Sequence, residues 1–176
     1  NAENIIQHFK CNNIGEVVSV FTNNPKAYVI ERAKKFQIPT VIFSKEELID
    51  SKVLQKINTF QPDLIVLAGF LLKFPKNIVE SYPNEIINIH PALLPKYGGK
   101  GMYGMNVHKA IVENKEKETG ITIHYVNENY DEGNIIFQKK VTVLVTDTPE
   151  VVAEKIHELE QNYFPTVIES LLNSNI

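Results

Sequence analysis

A chain of 176 residues with 43% hydrophobic content is long enough for one ordinary core and too short for two comfortable ones, so it reads as a single domain over residues 1–176. Its 21 acidic against 18 basic residues leave a formal charge of −3, and no Lys/Arg block supplies a nucleic-acid footprint, so anionic ligands must be held locally. A lone cysteine, Cys11, excludes an internal disulfide and a cysteine-built metal site. No apolar run reaches the length of a membrane span and none reads as a signal peptide, which makes the cytoplasm the expected compartment.

The chain opens without an initiating Met, and residues 1–10 already read as a helix capped by Asn1, with Ala2, Ile5, Ile6 and Phe9 on one face. Something is expected to precede it. Residues 17–21 form a strand, residues 28–36 a helix with Val29, Ile30 and Ala33 on one side, and residues 39–43 a second strand. Ser44 caps a helix running from Lys45 towards Phe60, with Glu47 completing a capping box. Residues 63–68 are apolar on both faces, the mark of a central parallel strand covered on each side. This αβαβαβ alternation predicts an open, doubly wound, mostly parallel α/β sheet of Rossmann type.

The second half changes rhythm. A short helix near residues 75–80 precedes the strand Ile86-Ile87-Asn88-Ile89-His90, which Pro91 ends because proline has no N–H for a ladder. A Gly- and Pro-rich loop, residues 91–105, is too long for a mere connector and leads into a helix at residues 106–114. Residues 119–126 and 134–145 alternate apolar with polar around the turn-rich 127–133, which predicts an antiparallel hairpin on the sheet edge. Asp147-Thr148-Pro149-Glu150 starts a closing helix through Leu172, with Pro165 as its bend point.

The chemistry is concentrated at the 86–90 strand. Residues i and i+2 of an extended chain point the same way, so Asn88 and His90 share one face and Ile87 and Ile89 the other. An amide and an imidazole where a strand runs out into a loop make a ready pair of hydrogen-bond donors. A lone histidine at a strand end is more often structural, and Asp131 alone reads as a turn residue. The histidines have no ligand-like spacing, so no metal is expected. Gly99-Lys100-Gly101-Met102-Tyr103-Gly104 spells Gly-x-Gly-x-x-Gly but sits deep in a loop and not after a strand, so nicotinamide is discounted.

The segments Ile87 to Tyr97, Gly99 to Gly104, Gly120-Ile121-Thr122-Ile123-His124-Tyr125-Val126 and Asp131-Glu132-Gly133 together resemble the phosphoribosylglycinamide formyltransferases, folate-dependent enzymes of purine synthesis. The resemblance covers nearly the whole chain. It implies transfer of a formyl group from 10-formyltetrahydrofolate to the amine of glycinamide ribonucleotide, through a tetrahedral intermediate whose oxygen is negative. Asn88 and His90, the latter as imidazolium, then donate to that oxygen, Asp131 favours the charged imidazole and relays a proton, and His124 supports them. The resemblance further implies folate contacts from Leu71, Leu72, Lys73, Phe74 and Asn88 and from Lys45. The family commonly places a positive residue where Leu72 stands, so a charge contact from there is not carried over. Ribonucleotide contacts fall to Glu160 and to the helix start at Asn1. The family opens with a strand and a Gly-x-Gly-Ser/Thr-Asn loop whose last residue matches Asn1, so that strand is expected upstream of Asn1. No nucleic acid and no membrane is implied, and the assembly is expected to be a monomer or homodimer. The alternatives are a formyltransferase with another amine acceptor, or a non-enzymatic nucleotide-binding module.

Overall fold

The computed structural model describes residues 1–12 and 14–174 and divides into two compact units, Asn1–Leu64 with Pro165–Ile176 and Ile65–Phe164. Among the described residues no helix is long and apolar enough to cross a membrane. The strands form two separately hydrogen-bonded sheets, one in each unit.

In the first unit, α1 (Ala2–Cys11) buries Ile5, Ile6 and Phe9, as their spacing requires. Asn1 is its N-cap and accepts through its carbonyl from the Ile5 N–H at 2.9 Å, but its side chain makes no capping bond. β1 (Val20–Thr22) runs parallel to β2 (Thr40–Ile42), with Phe21 opposite Val41, and α2 (Val29–Lys35) makes the crossover between them. Both strands are shorter than expected. The predicted helix from Lys45 towards Phe60 is in fact two, α3 (Lys45–Ile49) and α4 (Lys52–Phe60). Ser51 between them takes a left-handed φ of 64°, which no continuous right-handed helix accommodates. The capping box is made in full: the Glu47 N–H donates to Ser44 Oγ at 3.2 Å and the Ser44 N–H to Glu47 Oε2 at 2.9 Å.

In the second unit the order is β3 (Ile65–Leu67), β4 (Ile86–His90), β5 (Glu118–Tyr125) and β6 (Ile135–Thr142). β3 and β4 are parallel, β4 and β5 antiparallel, and β5 and β6 form the expected edge hairpin. The β3 residues are half-buried and not enclosed as their apolar run predicts. β4 and β5 are the deeply buried pair: Ile87, Ile89, Ile121 and Ile123 are all in the core. α5 (Lys76–Ser81) and α6 (Met105–Glu113) bury Ile78, Val107 and Ile111. α7 (Pro149–Ser174) begins with proline in its first position, where the missing N–H costs nothing, and remains helical through Pro165.

The chain makes a local test of its own punctuation possible. Ser44→Ala removes the acceptor for the Glu47 N–H, and a loss of about 1 kcal/mol is expected in urea unfolding with an unchanged slope. An unaltered midpoint would show that the box contributes nothing to the fold.

Candidate active site

The β4–β5 ladder assembles the site. Asn88 lies directly opposite His124 and His90 opposite Thr122, so the Asn88/His90 face predicted from the period of the strand meets a matching polar face on β5. Asn88 Nδ2 donates to His124 Nε2 at 3.3 Å, and His124 Nδ1 donates to the Tyr125 carbonyl at 2.8 Å. A carbonyl only accepts, so the His124 hydrogen sits on Nδ1 and Nε2 is the acceptor for the amide. The amide has two hydrogens; the second is not used in this bond.

Asp131 enters from the loop between β5 and β6. Its Oδ2 lies 3.5 Å from His90 Nδ1 and accepts from the Gly99 N–H at 2.9 Å, while its Oδ1 lies 3.5 Å from His124 Nε2. Gly99 holds a φ of 91° that favours glycine. His90 Nε2 donates to the Tyr97 carbonyl at 2.7 Å. Asn88, His124, Asp131 and His90 therefore form one connected cluster, with His90 and His124 almost completely buried.

Its outer fixings are unusual in their completeness. Thr122 Oγ1 donates to the Ala92 carbonyl at 2.6 Å and accepts from the Leu94 N–H at 3.0 Å and from Gln138 Nε2 at 2.9 Å. One donor and two lone pairs are all a hydroxyl has, so this buried group is saturated and pins the chain just beyond His90. At the far side, a Cβ on Gly133 would fall 1.7 Å from the Tyr125 oxygen, the acceptor of His124. Only glycine fits there. Tyr97, Thr122 and Gly133 lie within the segments that carry the resemblance but have no role assigned to them there, and Gln138 has no signal at all; the register that sets Thr122 opposite His90 shows why it matters.

Burial pushes the His90 pKa down, and the Asp131 carboxylate, the Tyr97 carbonyl and the field of Glu160 only partly offset it. At rest His90 therefore favours the neutral ring. For Asp131, burial acts upward but its interactions with His124 and His90 and the Gly99 N–H together win, and the carboxyl is held below its ordinary range. Stability linked to His90 falls as pH drops through the ordinary histidine range, because the unfolded chain binds that proton more readily. Stability linked to Asp131 is present above the ordinary carboxylate range and is lost as pH falls through its depressed value.

The other expected contacts fall as follows. Leu71, Leu72, Lys73 and Phe74 lie in irregular backbone after β3, with Leu71 exposed and the buried Phe74 edge-on to Phe70 at 5.7 Å. Glu160, on α7, is mostly buried, 3.7 Å from His157, and reaches His90 electrostatically. Asn1 and Lys45 belong to the first unit, Asn1 as the α1 cap and Lys45 as the exposed first residue of α3. A recess of about 550 Å³ in that unit is walled by Ile6, Phe9, Lys10, Phe36 and Ile38 and includes none of the expected site residues. Among the described residues no His/Cys/Asp/Glu group is arranged to hold a metal.

An open α/β fold with a polar cluster at the carboxyl end of a parallel strand is the class of protein in which ligands bind outside the strand ends. The chain belongs to the formyl transferase family, whose sequence profile matches residues 1–168. It is 38% identical over 168 residues to the chloroplastic phosphoribosylglycinamide formyltransferase of Arabidopsis thaliana, covering 92% of this chain and 58% of that protein. It is 34% identical to the phosphoribosylglycinamide formyltransferase of Escherichia coli, covering 96% of this chain and 80% of the other. The chain thus spans little more than half the length of the plant relatives it matches. Among solved structures, the phosphoribosylglycinamide formyltransferase of Bacillus halodurans superposes with a TM-score of 0.89 at 33% identity, over 99% of this chain and 91% of the other.

Replacing Asp131 by Asn removes an influence that raises the His90 pKa, so the His90 ring is expected to titrate still lower in Asp131→Asn when its carbon resonances are followed by NMR. An upward shift would mean that the carboxylate is not the counter-charge described.

Proposed function

We propose that this chain transfers a formyl group from 10-formyltetrahydrofolate to the amine of glycinamide ribonucleotide, a step of purine biosynthesis. The observation that carries the reading is the connected Asn88–His124–Asp131–His90 cluster, in a family whose relatives in Arabidopsis and Escherichia coli bear that enzyme's name. The profile match runs through both units, which supports treating residues 1–176 as one formyltransferase domain.

The segment after β3 is compatible with a flat heteroaromatic ring. Its backbone is in neither helix nor strand, and Leu71 and the Phe70–Phe74 pair supply apolar surface beside it. The folate supplies the formyl carbon, carried on N10. Acyl transfer moves negative charge onto the formyl oxygen, and fixed donors meet that charge without reorganising. Asn88 offers its second amide hydrogen, held by the first hydrogen's bond to His124. His90 offers Nδ1, which becomes a donor once protonated; the developing negative charge works against the burial that keeps the resting ring neutral. Asp131 stays ionised beside Nδ1 and is the acceptor for the proton that the attacking amine must shed before N10 receives one. Glu160 accepts from the ribose hydroxyls of the acceptor nucleotide.

Incubating the protein with 10-formyltetrahydrofolate and a panel of amines, and identifying the formylated product by mass spectrometry, tests the reading. Glycinamide ribonucleotide is expected to be the acceptor; formylation of a different amine alone would replace it. His90→Ala and Asp131→Ala are each expected to lower turnover by about 10²–10³-fold with folate affinity little changed. Because they act as a unit, the double variant is expected to be scarcely worse than either single one, and strictly multiplicative losses would oppose a joint role. Glu160→Ala is expected to weaken ribonucleotide binding about tenfold while sparing folate, as for loss of a charge-assisted hydrogen bond. Equal effects on both ligands would remove it from the nucleotide site.

A further inference from the structure

The His90 ring depends on a main-chain atom that is itself held in an unfavourable place. The Tyr97 carbonyl, 2.7 Å from His90 Nε2, belongs to a residue whose φ is 58°, a left-handed conformation that bulky L side chains rarely adopt. Nothing in the main chain of a tyrosine favours that geometry, so a contact must keep it there. The phenol provides one: Tyr97 Oη donates to Glu116 Oε1 at 3.0 Å, and Lys96 Nζ donates to the same oxygen at 3.1 Å. Glu116 is in turn fastened to the last turn of α6, its N–H donating to the Ile111 carbonyl at 3.1 Å, immediately before β5 begins.

We propose that Glu116 is a positioning residue for His90, acting through the Tyr97 phenol to hold the Tyr97 carbonyl where it captures the Nε2 hydrogen. The consequence concerns which ring nitrogen is basic. A carbonyl cannot donate, so with Tyr97 in place the neutral ring carries its hydrogen on Nε2 and presents a bare Nδ1 to Asp131. Released from Tyr97, the ring can take its hydrogen on Nδ1 and point it at the carboxylate, leaving the proton-accepting nitrogen on the wrong side. Glu116 touches neither of the proposed substrates. Its contribution to turnover rests on the formyl-transfer reading above, whereas its effect on the ring does not.

The tautomer of His90 is read directly from ring nitrogen shifts of the full-length, ligand-free protein labelled with ¹⁵N, recorded above the His90 titration. The wild type is expected to show the Nε2–H form. Glu116→Ala and Tyr97→Phe are each expected to shift the ring towards a mixture with the Nδ1–H form and to lower kcat about tenfold, with KM for both substrates within about twofold, as for a misplaced catalytic group. Glu116→Gln keeps an acceptor oxygen for the phenol and is expected to restore both the nitrogen pattern and kcat. Tyr97→Phe deletes one hydroxyl only, so it supplies the answer if Glu116→Ala does not fold. Unchanged nitrogen shifts in a folded variant overturn the proposal, as does a changed tautomer with wild-type kcat. A fall in melting temperature alone would reduce the contact to a structural one. If the wild type formylates nothing, the proposed reaction fails, and the nitrogen spectra still decide whether Glu116 sets the ring.

Discussion

The antiparallel pairing of Ile86–His90 with Glu118–Tyr125 is the constraint from which the site follows. Each strand contributes two polar side chains to a sheet whose opposite face carries Ile87, Ile89, Ile121 and Ile123 with Tyr125, and the register sets the polar ones in facing pairs, Asn88 with His124 and His90 with Thr122. A slip by one residue would exchange the polar and apolar faces and bury the cluster's side chains among Ile87 and Ile89. The hydrophobic core and the polar cluster are thus specified by the same alternation. What stabilises the sheet also aims the imidazoles.

Burial has two effects on the cluster, and they oppose one another. Excluding water strengthens each hydrogen bond around Asn88 and Asp131, and it also makes a charge on His90 costly, enough to outweigh the adjacent carboxylate. A ring kept neutral at rest and able to gain a proton when negative charge develops nearby is suited to a group that must change state during a reaction. Asp131 shows the complementary balance: the Gly99 N–H and the two imidazoles beside it outweigh its burial. The fixed neighbours determine which of two similar sites ionises.

The strand with Asn88 and His90 on one face was legible because a period of two is a geometric rule with few exceptions. The Ser44–Glu47 capping box was legible for the same kind of reason, a fixed spacing with a defined partner. The division of residues 45–60 into two helices was not: it depends on the left-handed φ of Ser51, and Asp50-Ser51 interrupts no apolar stripe. His124 could be assigned only a supporting place, because its position between Asn88 and Asp131 requires an inter-strand register that includes a bulge. The resting charge state of His90 was not legible, because the sequence points to a carboxylate partner but not to the depth of burial. Tyr97 and Glu116 meet only through the path of a long loop, and no local pattern encodes that path.

The bulge itself has a consequence for how this fold can vary. Ile123 faces Phe137 but His124 faces Ile135, so Ile136 is the extra residue on β6 and the hairpin counts its residues differently on its two strands. Asp131 is carried by the eight-residue span between Tyr125 and Asn134, which closes through the Tyr125 N–H donating to the Asn134 carbonyl and through the Gly133 contact with Tyr125. The solvent-facing letters of that span, such as Glu128 and Asn129, are open to change, but its length is not. An inserted or deleted residue would turn the carboxylate away from both imidazoles, so relatives retaining the same chemistry are expected to diverge here in composition while conserving the count.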